Sequence, residues 1–262
     1  MPMRFTSLGS GSEGNALVVE VGASAGTSAT RLMMDCGFGL AETETRLARA
    51  GLEPTDLDGI VVTHEHSDHI GGVARFARKH SIPVWLTHGT AKVLRENSLP
   101  AALIHYVDPH EAFSIGHIAV TPYYVPHDAY EPVQYVFSDG VVRLGVLTDT
   151  GTLTAHIEET LSGCDALVLE CNHDLDMLMN GAYPASLKKR VAGKYGHLDN
   201  ATAAALLRRI DCSRLKHVIA AHLSRSNNLP ELAREALAAA LGCEVEWIGI
   251  AAQDAGFAWR DI

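Results

Sequence analysis

Three histidines and two carboxylates fall within the six positions from His64 to His69. The potential ligands are spaced as His64-x-His66-x-Asp68-His69. Imidazole nitrogens and carboxylate oxygens are the ligands that borderline divalent metals take in proteins. From a loop, His64 and His66 can face one way while Asp68 and His69 face another. The pattern therefore predicts two metal ions side by side, whereas a sparser cluster would indicate a solvated polar turn.

A buried strand must position this cluster. Residues 59–62 are Gly-Ile-Val-Val, and a β-branched run followed at once by polar residues is typical of a strand that ends in a loop. Beyond the cluster, Val73, Phe76 and Ala77 share one face of a helical pattern across residues 70–80. We therefore expect the order strand, ligand loop, helix.

Other potential ligands also follow predicted strands. They are Asp35 after residues 31–34, His127 after 118–125, Asp149 after 143–148, and His222 after 216–221. Each one alone would be read as a turn or capping residue. Asp35 is expected to hydrogen-bond the histidine loop from outside the ligand set, with helix capping as its alternative role.

The remaining chain predicts alternating strands and helices. Further strands are expected at residues 5–8, 16–21, 83–86, 112–114, 117–124, 133–137, 141–147, 166–170, 245–248 and 257–260. Helices are expected at 40–50, 90–97, 187–191, 201–210 and 230–241, and a surface turn at 22–30. No internal repeat or low-complexity linker divides the chain, so we expect one α/β domain over residues 1–262.

Charge and cysteine content restrict the expected binding partners and the expected cellular location. A net charge of −10 argues against a broad basic face and weakens a nucleic-acid role, although two divalent cations would add positive charge where a phosphate binds. The five cysteines are odd in number and lack C-x-x-C spacing, which favours reduced thiols and a cytoplasmic location. No secretory signal or apolar run long enough to span a bilayer is visible, so no membrane partner is expected.

Neutral polar residues form a second candidate set. Ser10, Ser12 and Asn15 lie in a glycine-rich loop whose backbone N–H groups and hydroxyls could receive an anion, with a plain hairpin connection as the alternative. A phosphate or nucleobase pocket is expected to use such donors, and its candidate members are Ser10, Ser12, Asn15, His173, Ser224, Asn227 and Asn228. For His173, stabilisation of its own loop is an equal alternative.

The ordered set of ligands resembles that of the metallo-β-lactamase-fold hydrolases, and the resemblance covers nearly the whole chain. It implies a four-layer αββα sandwich with the site at one edge, between the two sheets. It also implies how the ligands are shared. One metal would take His64, His66 and His127, the other Asp68, His69 and His222, and Asp149 would bridge them.

Sequences after Asp149 resemble a narrower group, the transfer-RNA 3′-processing and related phosphodiesterases. That resemblance implies His197 as a catalytic histidine and Glu170 as its partner, with a helix cap as the alternative for His197. Still closer is the bacterial WalJ/YycJ-type subfamily, which is associated with exonuclease activity on DNA. Its motifs appear as Ser10-Gly11-Ser12-x-Gly14-Asn15, Glu170-x-Asn172-His173-Asp174, Tyr183-Pro184-x-x-Leu187-Lys188, Gly196-His197-Leu198 and His222-Leu223-Ser224-x-x-Asn227-Asn228. Asp199 and Cys171 stand where serines would be expected.

The predicted function is a dinuclear metal-dependent phosphodiesterase, most simply a DNA exonuclease. A hydroxide shared by the metals would attack phosphorus, and His197 with Glu170 would protonate the leaving group; Asp68 and Asp149 would act with the metals. The alternatives are a hydrolase of a thioester, lactone or cyclic phosphodiester, and a non-catalytic metal-binding protein. Zinc, manganese and iron all suit the ligands, and the oligomeric state stays open, with a homodimer as one option.

Overall fold

The computed structural model describes residues 3–22, 28–96 and 99–262. Within these ranges the first sheet has seven strands, in the order β14-β1-β2-β3-β4-β5-β6. These are β1 Met3–Gly9, β2 Ala16–Val21, β3 Thr30–Met34, β4 Gly59–Val61, β5 Val84–Leu86, β6 Ile104–Tyr106 and β14 Phe257–Asp261.

The second sheet also has seven strands in the described part of the chain, in the order β13-β12-β11-β10-β9-β8-β7. These are β7 Phe113–Ile115, β8 Ile118–Tyr124, β9 Val133–Ser138, β10 Arg143–Leu147, β11 Ala166–Glu170, β12 His217–Ala221 and β13 Gly249–Ile250. The helices within the described ranges are α1 Leu40–Arg49, α2 Ser67–Ile70, α3 Val73–His80, α4 His88–Glu96, α5 Ala155–Leu161, α6 Leu175–Asn180, α7 Ala185–Val191, α8 Asn200–Leu207 and α9 Pro230–Leu241.

Side-chain alternation along the strands produces four layers. In β2, Leu17 and Val19 pack in the core between the sheets, whereas Ala16 and Val18 pack with helix residues such as Leu47 and Phe76 on the outer face. The outer face of the second sheet is covered in the same way by α5, α8 and α9. Both faces of each sheet are thus buried, and the predicted αββα sandwich is confirmed.

Strand direction gathers the loops that carry the candidate ligands. Strands β3 to β6 run parallel, as do β10 to β13, so within each sheet the carboxyl ends of these strands share one edge. Strand β8 is antiparallel to β9, and β9 to β10, so β8 ends at the same edge as β10. The loops after β3, β4, β8, β10, β11 and β12 therefore lie together.

Some predicted elements differ from the structure. Residues 245–248 were predicted to be a strand, but Val245–Trp247 is a 3₁₀ turn and the edge strand is β13. Helices α5 and α6 and strand β6 were not predicted. The predicted helix end at Asn97 and most of the predicted turn at 22–30 lie outside the described residues. No helix in the described part of the chain is both long and apolar enough to cross a membrane.

Candidate metal centre and active site

His64, His66 and His127 form the first candidate ligand group, with one nitrogen from each ring in a common cluster no more than 4.8 Å across. His66 Nε2 donates to the backbone carbonyl of Asp128 at 3.2 Å, and His127 Nδ1 donates to that of Gly196 at 3.0 Å. A carbonyl oxygen can only accept, so these contacts fix which ring nitrogen carries the proton.

The two remaining nitrogens, His66 Nδ1 and His127 Nε2, face each other at 3.2 Å. In the neutral rings both carry a lone pair, so their approach is favourable only with a cation between them. His64 Nε2 is buried beside them without a hydrogen-bond partner among the residues that the structure describes, although its Nδ1 lies 3.0 Å from Thr63 Oγ1. A divalent metal fits these three nitrogens.

Asp68, His69 and His222 form the second candidate group, again within 4.8 Å. Asp68 Oδ2 lies 3.4 Å from His69 Nε2 and 3.3 Å from His222 Nε2. His69 Nδ1 donates to Asp35 Oδ2 at 2.8 Å, which leaves Nε2 without a proton in the neutral ring. The expected contact between Asp35 and the histidine loop is thus present.

Asp149 lies between the two groups. Its Oδ2 is 3.1 Å from His69 Nε2 and its Oδ1 is 3.5 Å from His222 Nε2. It also shares a possible ligand cluster with His64 and His69. This position, next to ligands of both groups, suits a carboxylate shared by two cations.

Backbone strain is concentrated at this centre. Among the described non-glycine residues, φ is positive at Asp35 (61°), Asp149 (52°) and His222 (56°), and elsewhere only at Ser81. Each of the three follows a strand, and the left-handed backbone turns its side chain back towards the site. Residues other than glycine rarely adopt this backbone conformation, and those that do are often found at functional sites.

The carboxylates of the centre also favour the binding of cations. Burial alone would lower the pKa of His222, but the carboxylates of Asp149, Asp68 and Glu170 raise it to about 10. The pKa of His69 is raised well above its usual value for the same reason, mainly by Asp149. The carboxylates thus draw positive charge onto neighbouring histidines, and divalent metals would supply that charge.

His197 and Glu170 form a hydrogen-bonded pair beside Asp149. His197 Nδ1 donates to Glu170 Oε1 at 2.8 Å, and the backbone N–H groups of Thr150 and Leu198 each donate to Glu170 Oε2 at 3.1 Å. Glu170 is fully buried at the end of β11, whereas 22 % of the His197 side chain is exposed to the cleft. Glu170 therefore fixes the ring, and Nε2 is the nitrogen that can face a substrate.

Electrostatics keep this pair charged. Burial would raise the pKa of Glu170, but the neighbouring His197 lowers it to about 2. Burial would likewise lower the pKa of His197, but the Glu170 carboxylate raises it above the ordinary value. A buried carboxylate that stays ionised thus stabilises the protonated form of a partly exposed imidazole.

An open cleft of about 370 Å³ lies over these groups. It is lined by Ser12, His66, Ser67, Asp68, Asp128, Asp149, Tyr183, Leu187, Arg190, Val191, Gly196, His197 and His222. The sequence-based prediction missed Asp128, Tyr183 and Arg190. Arg190 was within reach of sequence reasoning only as part of the basic run that follows the Tyr183-Pro184 motif.

Of the predicted substrate-binding residues, only Ser12 lines this cleft. Asn15 is 7 % exposed, and its amide group donates to Gly11 O at 3.0 Å and lies 3.2 Å from His69 Nε2. Ser10 Oγ accepts from the backbone N–H of His222 at 3.0 Å. Both residues therefore hold the ligand loops in place.

The other predicted binding residues are packed into the neighbouring loops. Asn228, 4 % exposed, donates to Cys171 O at 2.7 Å and to Asn200 Oδ1 at 2.9 Å. Ser224 Oγ accepts from the backbone N–H of Asn227 at 3.2 Å. His173 is 1 % exposed, with its Nδ1 3.3 Å from Asn172 Oδ1. A direct substrate role for these four residues stays a prediction without a contact to the cleft.

One departure from the expected motifs has a structural role. Asp199 stands at the N-cap of α8, and its Oδ1 accepts from the backbone N–H of Thr202 at 2.8 Å. Cys171 is buried, and burial raises the pKa of its thiol well above the ordinary value. Aspartate caps a helix as well as serine does, so the presence of Asp199 in place of a serine preserves the start of α8.

Comparisons with known proteins concern the family and the fold of the chain. The family model described as the β-lactamase superfamily domain matches residues 30–223, a segment that contains every candidate ligand and the Glu170–His197 pair. The chain is 37 % identical over 236 residues to the exodeoxyribonuclease YycJ of Bacillus anthracis, covering 89 % of this chain and 87 % of that protein. It is 33 % identical over 235 residues to the exodeoxyribonuclease WalJ of Streptococcus pneumoniae serotype 2, covering 88 % and 85 %.

A solved structure confirms the fold. The metallo-β-lactamase-fold protein YhfI of Bacillus subtilis superposes with a TM-score of 0.74 at 15 % identity, covering 99 % of this chain and 100 % of that one. At that identity the likeness concerns the fold alone. The family match and the two relatives show the family as well as the fold. The chain belongs to the β-lactamase superfamily domain family, as a metal-dependent hydrolase of the metallo-β-lactamase fold.

Proposed function

We propose that this protein is a phosphodiesterase with two divalent metal ions and that it degrades DNA as an exonuclease. The names of the two relatives support a nuclease, since both are exodeoxyribonucleases. In each case the match covers most of this chain and most of the relative. The two candidate ligand groups, joined by Asp149, support two metals. Zinc and manganese are the expected ions, with iron as a third option.

The observation that carries the proposal is the contact between His197 and Glu170. Phosphodiester cleavage expels an alkoxide, which is a poor leaving group and needs a proton. A β-lactam or thioester has less need of a donor in this position. A protonated imidazole, held by a buried carboxylate beside Asp149, meets the requirement of the phosphodiester reaction.

The residues then divide the work. One metal would be held by His64, His66 and His127, and the other by Asp68, His69 and His222. Asp149 would contact both metals. When bound, the metals would supply Lewis-acid activation of the phosphate and of a water. His197 holds a proton on Nε2 and delivers it to the departing oxygen. Glu170 orients the ring and stabilises its charge before the transfer. Asp35 holds His69, and Arg190 at the mouth of the cleft offers a cation to an approaching phosphate.

Side-by-side hydrolysis assays test the proposal. Protein loaded with zinc or manganese is incubated with 5′- and 3′-labelled single- and double-stranded DNA, with the same RNA sequence, with bis-p-nitrophenyl phosphate and with a thioester. We expect stepwise release of nucleotides from DNA that a chelator abolishes and added metal restores. Turnover of the thioester without turnover of any phosphodiester would contradict the proposal and favour the alternative of an acyl hydrolase.

A further inference from the structure

A basic groove lies beside the catalytic cleft. It is open, with a volume of about 920 Å³, and it is formed by α7, the loop that follows it, and Asp128 and Met179. Its lining contains four basic residues, Lys188, Lys189, Arg190 and Lys194, and one acidic residue, Asp128. In a chain with a net charge of −10, such a local excess of cations needs an explanation.

The groove adjoins the cleft. Asp128 and Arg190 line both, and Arg190 Nε donates to Asp128 Oδ2 at 2.7 Å where the two meet. The backbone connects them as well, because His197 N donates to Val191 O, at the end of α7, at 2.9 Å. A chain molecule whose end is bound at His197 would therefore have the groove next to it.

The side chains along the groove suit a phosphate backbone with unpaired bases. Lys189 and Lys194 are exposed and have no carboxylate partner among the described residues, so their charges are available to an anion. Tyr195 is 51 % exposed, with Lys194 Nζ 4.9 Å from the centre of its ring. Lysines along a groove, combined with an exposed aromatic ring, are the combination that binds single-stranded nucleic acid without sequence preference.

We propose that this groove binds the part of a polynucleotide strand that adjoins the reacting phosphodiester. The occupant is a single strand, because its phosphates match the lysine charges and its bases can stack on Tyr195. The inference rests on the proposed nuclease activity, which supplies the polymer, and it adds the site that would separate a polymer from a small phosphodiester. An acidic peptide would match the charges but gain nothing from the connection to the cleft.

Binding to the metal-loaded protein tests the groove. The probe is a fluorescein-labelled 20-nucleotide single strand with phosphorothioate linkages, followed by anisotropy at several salt concentrations. The variants are Lys189→Glu, Lys194→Glu and the double variant. The control matched in charge to each single variant is Lys216→Glu, an exposed lysine directly before β12, at the opposite end of the strand from His222. Metal content and Tm of each variant establish that it is folded.

We expect the double variant to bind at least about tenfold more weakly at low salt and to lose about 1.4 from the slope of log affinity against log salt, since each single-strand phosphate contact contributes about 0.7. Tyr195→Ser should weaken binding about fivefold or more and leave the salt slope unchanged. Lys216→Glu should bind like the wild type. Equal loss in the control and double variants, no loss in the double variant, or equally strong competition by polyglutamate would overturn the proposal.

A separate readout distinguishes this inference from the function on which it rests. The wild type is assayed on bis-p-nitrophenyl phosphate and on an unmodified oligonucleotide. If the protein binds the strand through Lys189 and Lys194 but cleaves no nucleic acid, the groove is supported and the nuclease proposal fails. If it cleaves DNA and the double variant has an unchanged KM, the nuclease is supported and the groove fails.

Discussion

Asp35 Oδ2 accepts a hydrogen bond from His69 Nδ1 over 2.8 Å, and this contact determines that Nε2 is the ring atom presented to the metal centre. Asp35 is itself fixed, because Oδ1 accepts from the backbone N–H of Thr63 at 2.9 Å. The aspartate thus links the end of β3 to the loop after β4. Its side chain is fully buried and makes no contact with the cleft.

Replacing Asp35 with alanine should weaken metal binding without removing a ligand. Loss of an outer carboxylate that orients a histidine typically costs about 10–100-fold in affinity. Competition with a chromophoric chelator measures the change, and Asp35→Asn serves as the conservative comparison because it keeps an acceptor. Unchanged affinity in the alanine variant would contradict the orienting role.

Replacing His197 with alanine should leave the metals bound and slow the reaction. We expect kcat on DNA to fall by about 10²–10⁴-fold, the usual contribution of a general acid. The loss should be much smaller on bis-p-nitrophenyl phosphate, because p-nitrophenolate departs readily without a proton. Metal analysis provides the control. An equal loss on both substrates would indicate a positioning role instead of proton donation.

Close packing of the ligand loop can be tested at Gly37. A Cβ atom there would lie 1.8 Å from the backbone oxygen of Asp68, so Gly37→Ala must displace the loop that carries a candidate ligand. We expect a loss of about 1–3 kcal/mol in the free energy of unfolding, together with weaker metal binding.

Gly39 is the matched control for Gly37. It lies two positions further along the chain, has a φ of −62° as the N-cap of α1, and has open space where a Cβ would be built. Glycine is a better N-cap than alanine, so Gly39→Ala should cost about 0.5–1 kcal/mol in the free energy of unfolding, but it should leave metal binding unchanged because no ligand loop is displaced. Equal weakening of metal binding by the two substitutions would contradict the packing argument.

A partly buried ion cluster away from the site gives a prediction for the pH dependence of stability. Glu20 is 5 % exposed and accepts from Arg4 Nε at 2.6 Å and from Arg31 Nε at 2.5 Å. Burial raises the pKa of Glu20, but the two arginines lower it to a value below the usual 4.5. A carboxyl whose pKa is lower in the folded state stabilises the fold above its unfolded pKa and loses that contribution as pH falls through the folded value.

Glu20→Gln should therefore destabilise the protein at pH 7, by about 1–2 kcal/mol. The difference between the wild type and the variant should shrink as the pH falls below about 4. Urea denaturation at pH 7 and at a pH below about 4 measures this difference in the free energy of unfolding. A chelator is present at both pH values, so that metal release does not contribute to the difference. A difference that does not change with pH would show that the charge of Glu20 contributes nothing.

The candidate metal-binding cluster was recognisable from the sequence because its residues are close together along the chain. A β-branched run followed by His64-x-His66-x-Asp68-His69 identifies a strand and the loop after it. Later candidates such as His127 and His222 also follow strands, and parallel strands bring their carboxyl ends to one edge. The resemblance to a known fold then supplied the pairing of the two sheets, which no local pattern contains.

The walls of the cleft were less accessible to sequence reasoning. Arg190 and Tyr183 reach it through the placement of α6 and α7, and α6, only six residues long, has too few positions to show a helical period. Asn15 and Asn228 looked like substrate ligands because free amides suit that role. In the structure their amides are used to close loops, a use that depends on partners far away in the chain.

The left-handed backbone at Asp35, Asp149 and His222 makes the chemistry dependent on distant packing. Each such turn costs on the order of 1 kcal/mol, and the two sheets must offset that cost. A mutation that loosens the sandwich far from the cleft would allow these turns to relax before the chain unfolds. Ageing or heated protein should accordingly release its metals while most of its secondary structure persists.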